Sequence, residues 1–403
     1  MTHLDCPPIS SDQADNVVMV YRAQLLPYSE TFIRSQVRAL RRWRPVLVGE
    51  TRLESGLELE GIDTRLMLPA TLTRWHRAAS RTLNRMGCCY PPSRTVLRRI
   101  GAQLVHAHFG PSAVEIWPYA RALKLPMLVT LHGYDISIRK EWWEGGHGGA
   151  RLRNYPQQLL ALSKEPQVRF LAVSRFIAEQ ARSFGIPRDR IVVMKIGVDI
   201  KRFTRGSTPI LARPLRILFV GRLVEKKGAV YLIDAVSKLR KVFPSLEVVV
   251  VGDGPLRKLL EARCKLEGLP VQFRGALSSD AVQDEMHNAR LMCLPSVTAE
   301  NGDTEGLPIS LLEAQATGLP IVTSAKGGVD EVVAHGITGF RFSEGDTSTL
   351  VQQLKILLTN DQLLESMSEA AAECVASRFE IHKCTDLLEE YYDEIGIRNR
   401  TCF

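Results

Sequence analysis

A chain of 403 residues, 45% hydrophobic and 24% charged, is too long for one ordinary core and suits two soluble globular domains of roughly 150 to 200 residues. No apolar run reaches the roughly 18 residues of a membrane span, and the opening MTHLDCPPISSDQADN lacks an apolar signal-peptide centre, so the expected location is the cytosol. The net charge of +8 sits in the first half: Met1 to Ile200 hold 28 Lys and Arg against 17 Asp and Glu, and the remainder 24 against 27.

In chain order, an apolar strand at Val17 to Tyr21 runs into LLPYSETFI, after which Ser29 to Leu40 turns helical with Ser29 as a plausible N-cap. Thr31 and Phe32 then stand at a strand-to-helix mouth, which faces the ligand in an open parallel sheet. Further strands are expected at Pro45 to Val48, Leu104 to Phe109, Met127 to Leu131, Phe170 to Val173 and Ile191 to Ile196, interleaved with helical segments. After TRGSTPILARP, a linker by its Gly, Ser and Pro content, the scheme restarts. Its strands are expected at Leu215 to Val220, Leu246 to Val251, Val271 to Arg274, Leu291 to Leu294 and Ile321 to Thr323. This alternation means an α/β protein of two Rossmann-like, doubly wound parallel-sheet domains facing a central cleft. The expected division is residues 1–205, residues 206–378, and a C-terminal helix in 379–403 that crosses back to the first domain.

Arg74, Arg77, Arg81 and Arg85 fall on one side of a helix, with Trp75, Leu83 and Met86 nearby, and Arg34, Arg38, Arg41 and Arg42 suggest a second basic face. Basic residues beside apolar ones suit an anionic lipid surface. No recognition helix, zinc finger or RNA-binding signature accompanies the charge, so nucleic acid is not the expected partner. The eight cysteines, at 6, 88, 89, 264, 293, 374, 384 and 402, have no C-x-x-C spacing and are expected to stay thiols.

Five stretches can carry chemistry. DTEGLPISLLEAQA, from Asp303 to Ala316, places Glu305 and Glu313 eight positions apart, with Pro308 in the first turn of a helix. Gly306 and its neighbours would offer amide N–H groups to a diphosphate at the helix N-terminus. VGRLVEKKG, from Val220 to Gly228, ends a strand, and its Arg222 and Lys227 would project into the cleft as two cations for that diphosphate. HAHFG (His106 to Gly110) and TLHGYD (Thr130 to Asp135) set histidines at strand ends, where His132 beside Gly133 could bond a sugar hydroxyl or an acceptor group, with a satisfied structural histidine as the alternative for it and for His106 and His108. VGDGPLR, from Val251 to Arg257, is a glycine turn without the third glycine of the dinucleotide fingerprint. No D-x-D triplet or ligand spacing calls for a metal.

Together SETFI, HAHFG, TLHGYD, AVSRFI (Ala172 to Ile177), VGRLVEKKG, VGDGPLR, EGLPISLLEA and GGVDEVV (Gly327 to Val333) resemble the retaining glycosyltransferases of family 4, which have the GT-B fold. The SETFI start with HGYD is similar to the exopolysaccharide branch, including colanic-acid-type transferases. The resemblance implies a nucleotide-diphosphate sugar as donor and no cofactor. Arg222 and Lys227 would hold the diphosphate, Glu305 the donor sugar's hydroxyls and Glu313 the ribose. Gly306 and Leu307 would lend backbone amides, Gly221 would border the phosphates, and His132 would approach the sugar from the first domain. The acceptor would be a saccharide or lipid-linked, with the enzyme peripheral on the inner membrane face. LLPYSETFI replaces the glycine-rich loop of many family members, which puts acceptor contacts there in doubt. A sugar-nucleotide epimerase of the same fold and a non-catalytic saccharide-binding protein are the alternatives.

Overall fold

The computed structural model describes residues 16–53, 56–68 and 74–401, so the polar opening segment, Cys6 and Cys402 lie outside the described residues. Its strands in chain order are β1 (Val17–Tyr21), β2 (Gln24–Leu25), β3 (Arg44–Gly49), β4 (Thr51–Arg52), β5 (Thr64–Leu66), β6 (Leu104–His108), β7 (Met127–Leu131), β8 (Val168–Ala172) and β9 (Ile191–Val193). They continue with β10 (Arg216–Val220), β11 (Glu247–Val251), β12 (Val271–Gly275), β13 (Leu291–Leu294), β14 (Ile321–Thr323) and β15 (Gly339–Arg341). The first sheet runs β5-β3-β1-β6-β7-β8-β9 and the second β12-β11-β10-β13-β14-β15, with every pairing parallel. The two doubly wound sheets are those expected from the alternation of short apolar strands with helices. β1, β6 and β7 are buried along their whole length, as strands covered by helices on both faces must be.

In each sheet the winding reverses at one place, between β1 and β6 in the first and between β10 and β13 in the second. Loops diverge at such a switch point and leave a crevice at the carboxyl ends of the strands. The motifs stand there: Arg22 follows β1, Phe109 follows β6, and Gly221 with Arg222 follows β10.

Local chemistry explains the element ends. Ser174 caps the helix Arg175–Phe184, its Oγ accepting from the Ile177 N–H at 3.2 Å, and Gly185 closes it in the left-handed region at φ 111°. Two expected starts are corrected. The helix Thr31–Ala39 has Glu30, not Ser29, at its N-cap, and the Glu30 carboxylate does not cap it because it is bonded to Arg22. Pro308 precedes its helix, Ile309–Ala316, since ψ of 104° keeps it extended.

The helix Arg74–Arg85 is present, though the side chains of its four arginines lie outside the described residues. The second basic face is not continuous. Arg41 and Arg42 lie beyond the helix end at Ala39, and Arg42 is tied to Asp393 at 2.6 Å. The C-terminal helix Ile381–Thr401 packs Leu388, Tyr392 and Ile395 into the core beneath the first sheet. Glu389 Oε1 anchors it, accepting from the N–H groups of Arg41, Arg42 and Trp43 at 2.9, 2.7 and 2.9 Å. Among the described residues no helix is long and apolar enough to cross a membrane, and cysteines 88, 89, 264, 293, 374 and 384 are free thiols.

Candidate functional site

A cleft of about 950 Å³ opens between the two sheets. Gly221, Arg222, Lys227, Glu305, Gly306, Leu307 and Glu313 line one wall, and His132 lines the other. The residues expected to hold the donor therefore meet in one place, whereas His106 and His108 do not line the cleft.

The second-sheet wall is built by two loops clamped together. Lys226 Nζ meets Asp303 Oδ1 at 2.9 Å, and Lys227 Nζ meets Glu305 Oε1 at 3.0 Å. Glu305 is 6% exposed, and its Oε1 receives that charge without the alignment of a hydrogen bond. Burial alone would push the carboxyl up, but Lys227, Lys226 and Arg222 outweigh it and hold Glu305 below the usual range. Burial lowers Lys227, and Glu305 opposes that. Arg222 remains exposed at the cleft. Gly228, at φ 64°, lets the chain turn here, because a β-carbon would lie 1.8 Å from the Pro295 carbonyl oxygen.

Glu313 sits within the helix Ile309–Ala316, whose Ser310 Oγ donates to the Val220 carbonyl at the end of β10 at 3.3 Å. Its carboxyl is pushed up to about 7 by burial, with Arg202 pulling the other way. The Gly306 and Leu307 N–H groups are not taken up by a hydrogen bond among the described residues. The Gly306 carbonyl is occupied twice, by the Gly328 N–H at 2.7 Å and by Ser174 Oγ at 3.1 Å. AVSRFI and GGVDEVV thus act together, holding the 305–307 loop from both sheets.

On the first-sheet wall, buried Asp135 accepts from the N–H groups of Gly110 at 3.0 Å, His132 at 3.1 Å and Gly133 at 2.9 Å. One carboxylate therefore pins the HAHFG loop to the TLHGYD loop. His106 is a satisfied core residue, bonded to Tyr392 Oη at 2.5 Å and Thr130 Oγ1 at 2.6 Å.

Besides Asp135, the side chains of Arg22, Glu30 and Phe109 on this wall were given no role from the sequence. Arg22 bonds Glu30 through Nε and Nη2 and donates from Nη1 to Ser112 Oγ at 3.1 Å. Its guanidinium lies 4.6 Å from the centre of the Phe109 ring, and Phe109 holds a strained φ of 71° at the cleft. The signal for Glu30 was its place in SETFI beside Thr31 and Phe32; nothing in the spacing paired it with Arg22. Among the described residues no group of three or more His, Cys, Asp or Glu is arranged to hold a metal ion.

The wall of cations, unbonded amides and acidic side chains can hold an anion flanked by hydroxyl-bearing groups. Comparison with known proteins agrees with that chemistry. Residues 29–202 match the model for Glycosyltransferase Family 4 and residues 201–373 that for Glycosyl transferases group 1. WcaL of Salmonella typhimurium, a protein named for colanic acid biosynthesis, is 31% identical over 325 residues, 77% of each chain. The amylovoran biosynthesis glycosyltransferase AmsK of Erwinia amylovora is 29% identical over 295 residues, 73% of this chain and 70% of that one. In fold, the chain resembles Anabaena HepE, solved in complex with UDP-glucose, at a TM-score of 0.74 and 18% identity over 94% of this chain and 99% of that one. From the residues that line the cleft and from these matches along both halves, the chain belongs to the family 4 glycosyltransferases.

Proposed function

We propose that this glycosyltransferase moves a sugar from a nucleotide-diphosphate sugar to a saccharide or lipid-linked acceptor in exopolysaccharide or other cell-surface glycan synthesis, with retention and without a metal. The observation that carries the reading is the grouping of Arg222, Lys227 and Glu305 around the unbonded amides of Gly306 and Leu307. Arg222, Lys227 and the amides hold the diphosphate, Glu305 takes the donor sugar's hydroxyls and Glu313 the ribose. The relatives' names support a glycan product, and HepE was solved with UDP-glucose.

In the transfer step the bond between the anomeric carbon and the leaving phosphate oxygen breaks while the acceptor oxygen bonds the same face of the sugar. The acceptor's proton passes to the departing phosphate oxygen, so a nucleoside diphosphate and the glycoside are the products. Arg222, Lys227 and the amides stabilise the charge that develops on the leaving group. Each such charge-assisted hydrogen bond contributes about 1.5 to 3 kcal/mol. Thermal-shift screening with UDP, GDP and ADP and then their sugars tests donor use, and the anomeric configuration of the product tests retention. An inverted product or a glycosyl ester trapped on Glu305 overturns this mechanism.

The reading includes peripheral binding to an anionic cytoplasmic membrane surface through the helix Arg74–Arg85. Trp75 on that helix and Met86 just past it are 81% and 70% exposed, which suits an interfacial apolar contact flanked by basic residues. Vesicles with anionic lipid should bind the protein better than neutral ones at low salt; equal binding removes this part.

A further inference from the structure

Behind the cleft wall stands a line of histidines that the transfer step does not use. His106 and His108 are each 1% exposed, and their rings lie 4.5 Å apart, centre to centre. Both nitrogens of His106 are bonded. His108 differs: its Nδ1 lies 3.0 Å from His132 Nε2, and its own Nε2 is buried with no partner. His132, wedged between Phe32 and Phe109 with ring centres at 4.9 and 4.3 Å, lines the cleft. With Nε2 turned toward His108, Nδ1 is the nitrogen left for a ligand.

Burial, with the neighbouring histidines and Arg22, holds His108 well below the ordinary histidine range, and burial with His106 and Arg22 does the same for His132. Each ring therefore carries one proton, and its position is set by the bond the two rings share. In one arrangement His132 Nε2–H donates. His108 must then carry its own proton on Nε2, as a buried N–H without an acceptor. In the other, His108 Nδ1–H donates, His108 Nε2 is a bare lone pair, and His132 holds its proton on Nδ1. Orphaned buried N–H groups are the rarer defect.

We infer that His108 is a positioning residue that fixes His132 as the Nδ1–H tautomer, so that His132 donates a hydrogen bond to a hydroxyl or phosphate oxygen of the bound sugar nucleotide instead of accepting a proton. The ligand side of this inference rests on the donor reading above; the tautomer does not.

Histidine-labelled full-length protein, observed by nitrogen-15 NMR at pH 7 without ligand, tests it, with the His132 signal assigned by its loss in His132→Gln. The expected spectrum shows neutral His132 protonated at Nδ1, against the ordinary preference of free imidazole for Nε2–H. His108→Asn, whose amide N–H replaces Nδ1–H, should keep that signature, and His108→Leu should shift His132 to Nε2–H. His132 protonated at Nε2 or doubly protonated in the wild type overturns the inference, as does an unchanged His132 tautomer in His108→Leu. Should the Leu variant not fold, the wild-type and Asn spectra decide. Because these spectra need no ligand, a failure of the donor reading, seen as absent nucleotide binding, is separately visible.

Discussion

Gly306 on one wall and His132 on the other come so close that a β-carbon on Gly306 would lie 1.9 Å from the His132 carbonyl oxygen. The donor-side amides and the first-sheet loop are thus packed backbone to backbone at the floor of the cleft. Gly306→Ala must push them apart, an overpacking penalty of about 1 to 3 kcal/mol. Urea unfolding should show that loss, and nucleotide-sugar turnover should fall with it; unchanged stability would mean that the two loops are not held together.

Lys227 and Glu305 form a largely buried pair, their side chains 13% and 8% exposed. Removing one partner of a buried pair costs about 3 to 5 kcal/mol. Lys226 and Arg222 also act on Glu305, so Lys227→Met should lose stability near the lower end. Adding Glu305→Gln should restore most of it, read as coupling in a double-mutant cycle by urea unfolding.

Glu313 gives a pH signature. In the fold its carboxyl titrates at about 7 against an ordinary 4.5, so the folded state binds the extra proton between those values. Its contribution to stability is therefore largest at low pH and falls as pH rises through that window. In the proposed ribose-binding role of Glu313 the ionised carboxylate, which accepts on both oxygens, is the stronger partner for two hydroxyls. Affinity for a nucleoside diphosphate should rise by about tenfold from pH 6 to 8 through this group, and Glu313→Gln should lack that rise. Taking the difference between wild type and variant by calorimetry cancels the titration of the nucleotide itself.

Glu389 holds the C-terminal helix against the first sheet through three backbone N–H groups. Glu389→Ala removes the acceptor from all three, and the buried Trp43 N–H is the one left without a partner, at about 1 to 3 kcal/mol. The variant should melt lower and expose the helix Ile381–Thr401 to limited proteolysis; an unchanged cleavage pattern would contradict this anchoring.

Most of the architecture was legible because buried parallel strands read as short apolar runs. The missed edge strands, β5 and β15, are three residues each and only partly buried, apart from Gly339, so no apolar run marks them. Glycine and charge spacing brought Arg222, Lys227, Glu305, Gly306 and Glu313 to one wall without help from structure. The Lys227 to Glu305 pairing was not readable, because a long-range ion pair leaves no periodic trace. For Arg22 and Glu30 the obstacle was competition: SETFI has the form of a helix start, and the buried guanidinium takes the carboxylate that the cap could have used. Asp135 was within reach, as a carboxylate two residues beyond a glycine at a strand end has few partners other than loop amides.

The central claim is that the cleft seats a nucleoside diphosphate on Arg222 and its neighbours. Calorimetric titration of wild type and Arg222→Ala with UDP, GDP and ADP tests it most directly. The expected result is binding of at least one nucleotide by the wild type, weakened in the variant by roughly ten- to a hundredfold, as loss of a charge-assisted hydrogen bond requires. Equal affinity in the two proteins, or no binding of any of the three by the wild type, would contradict it.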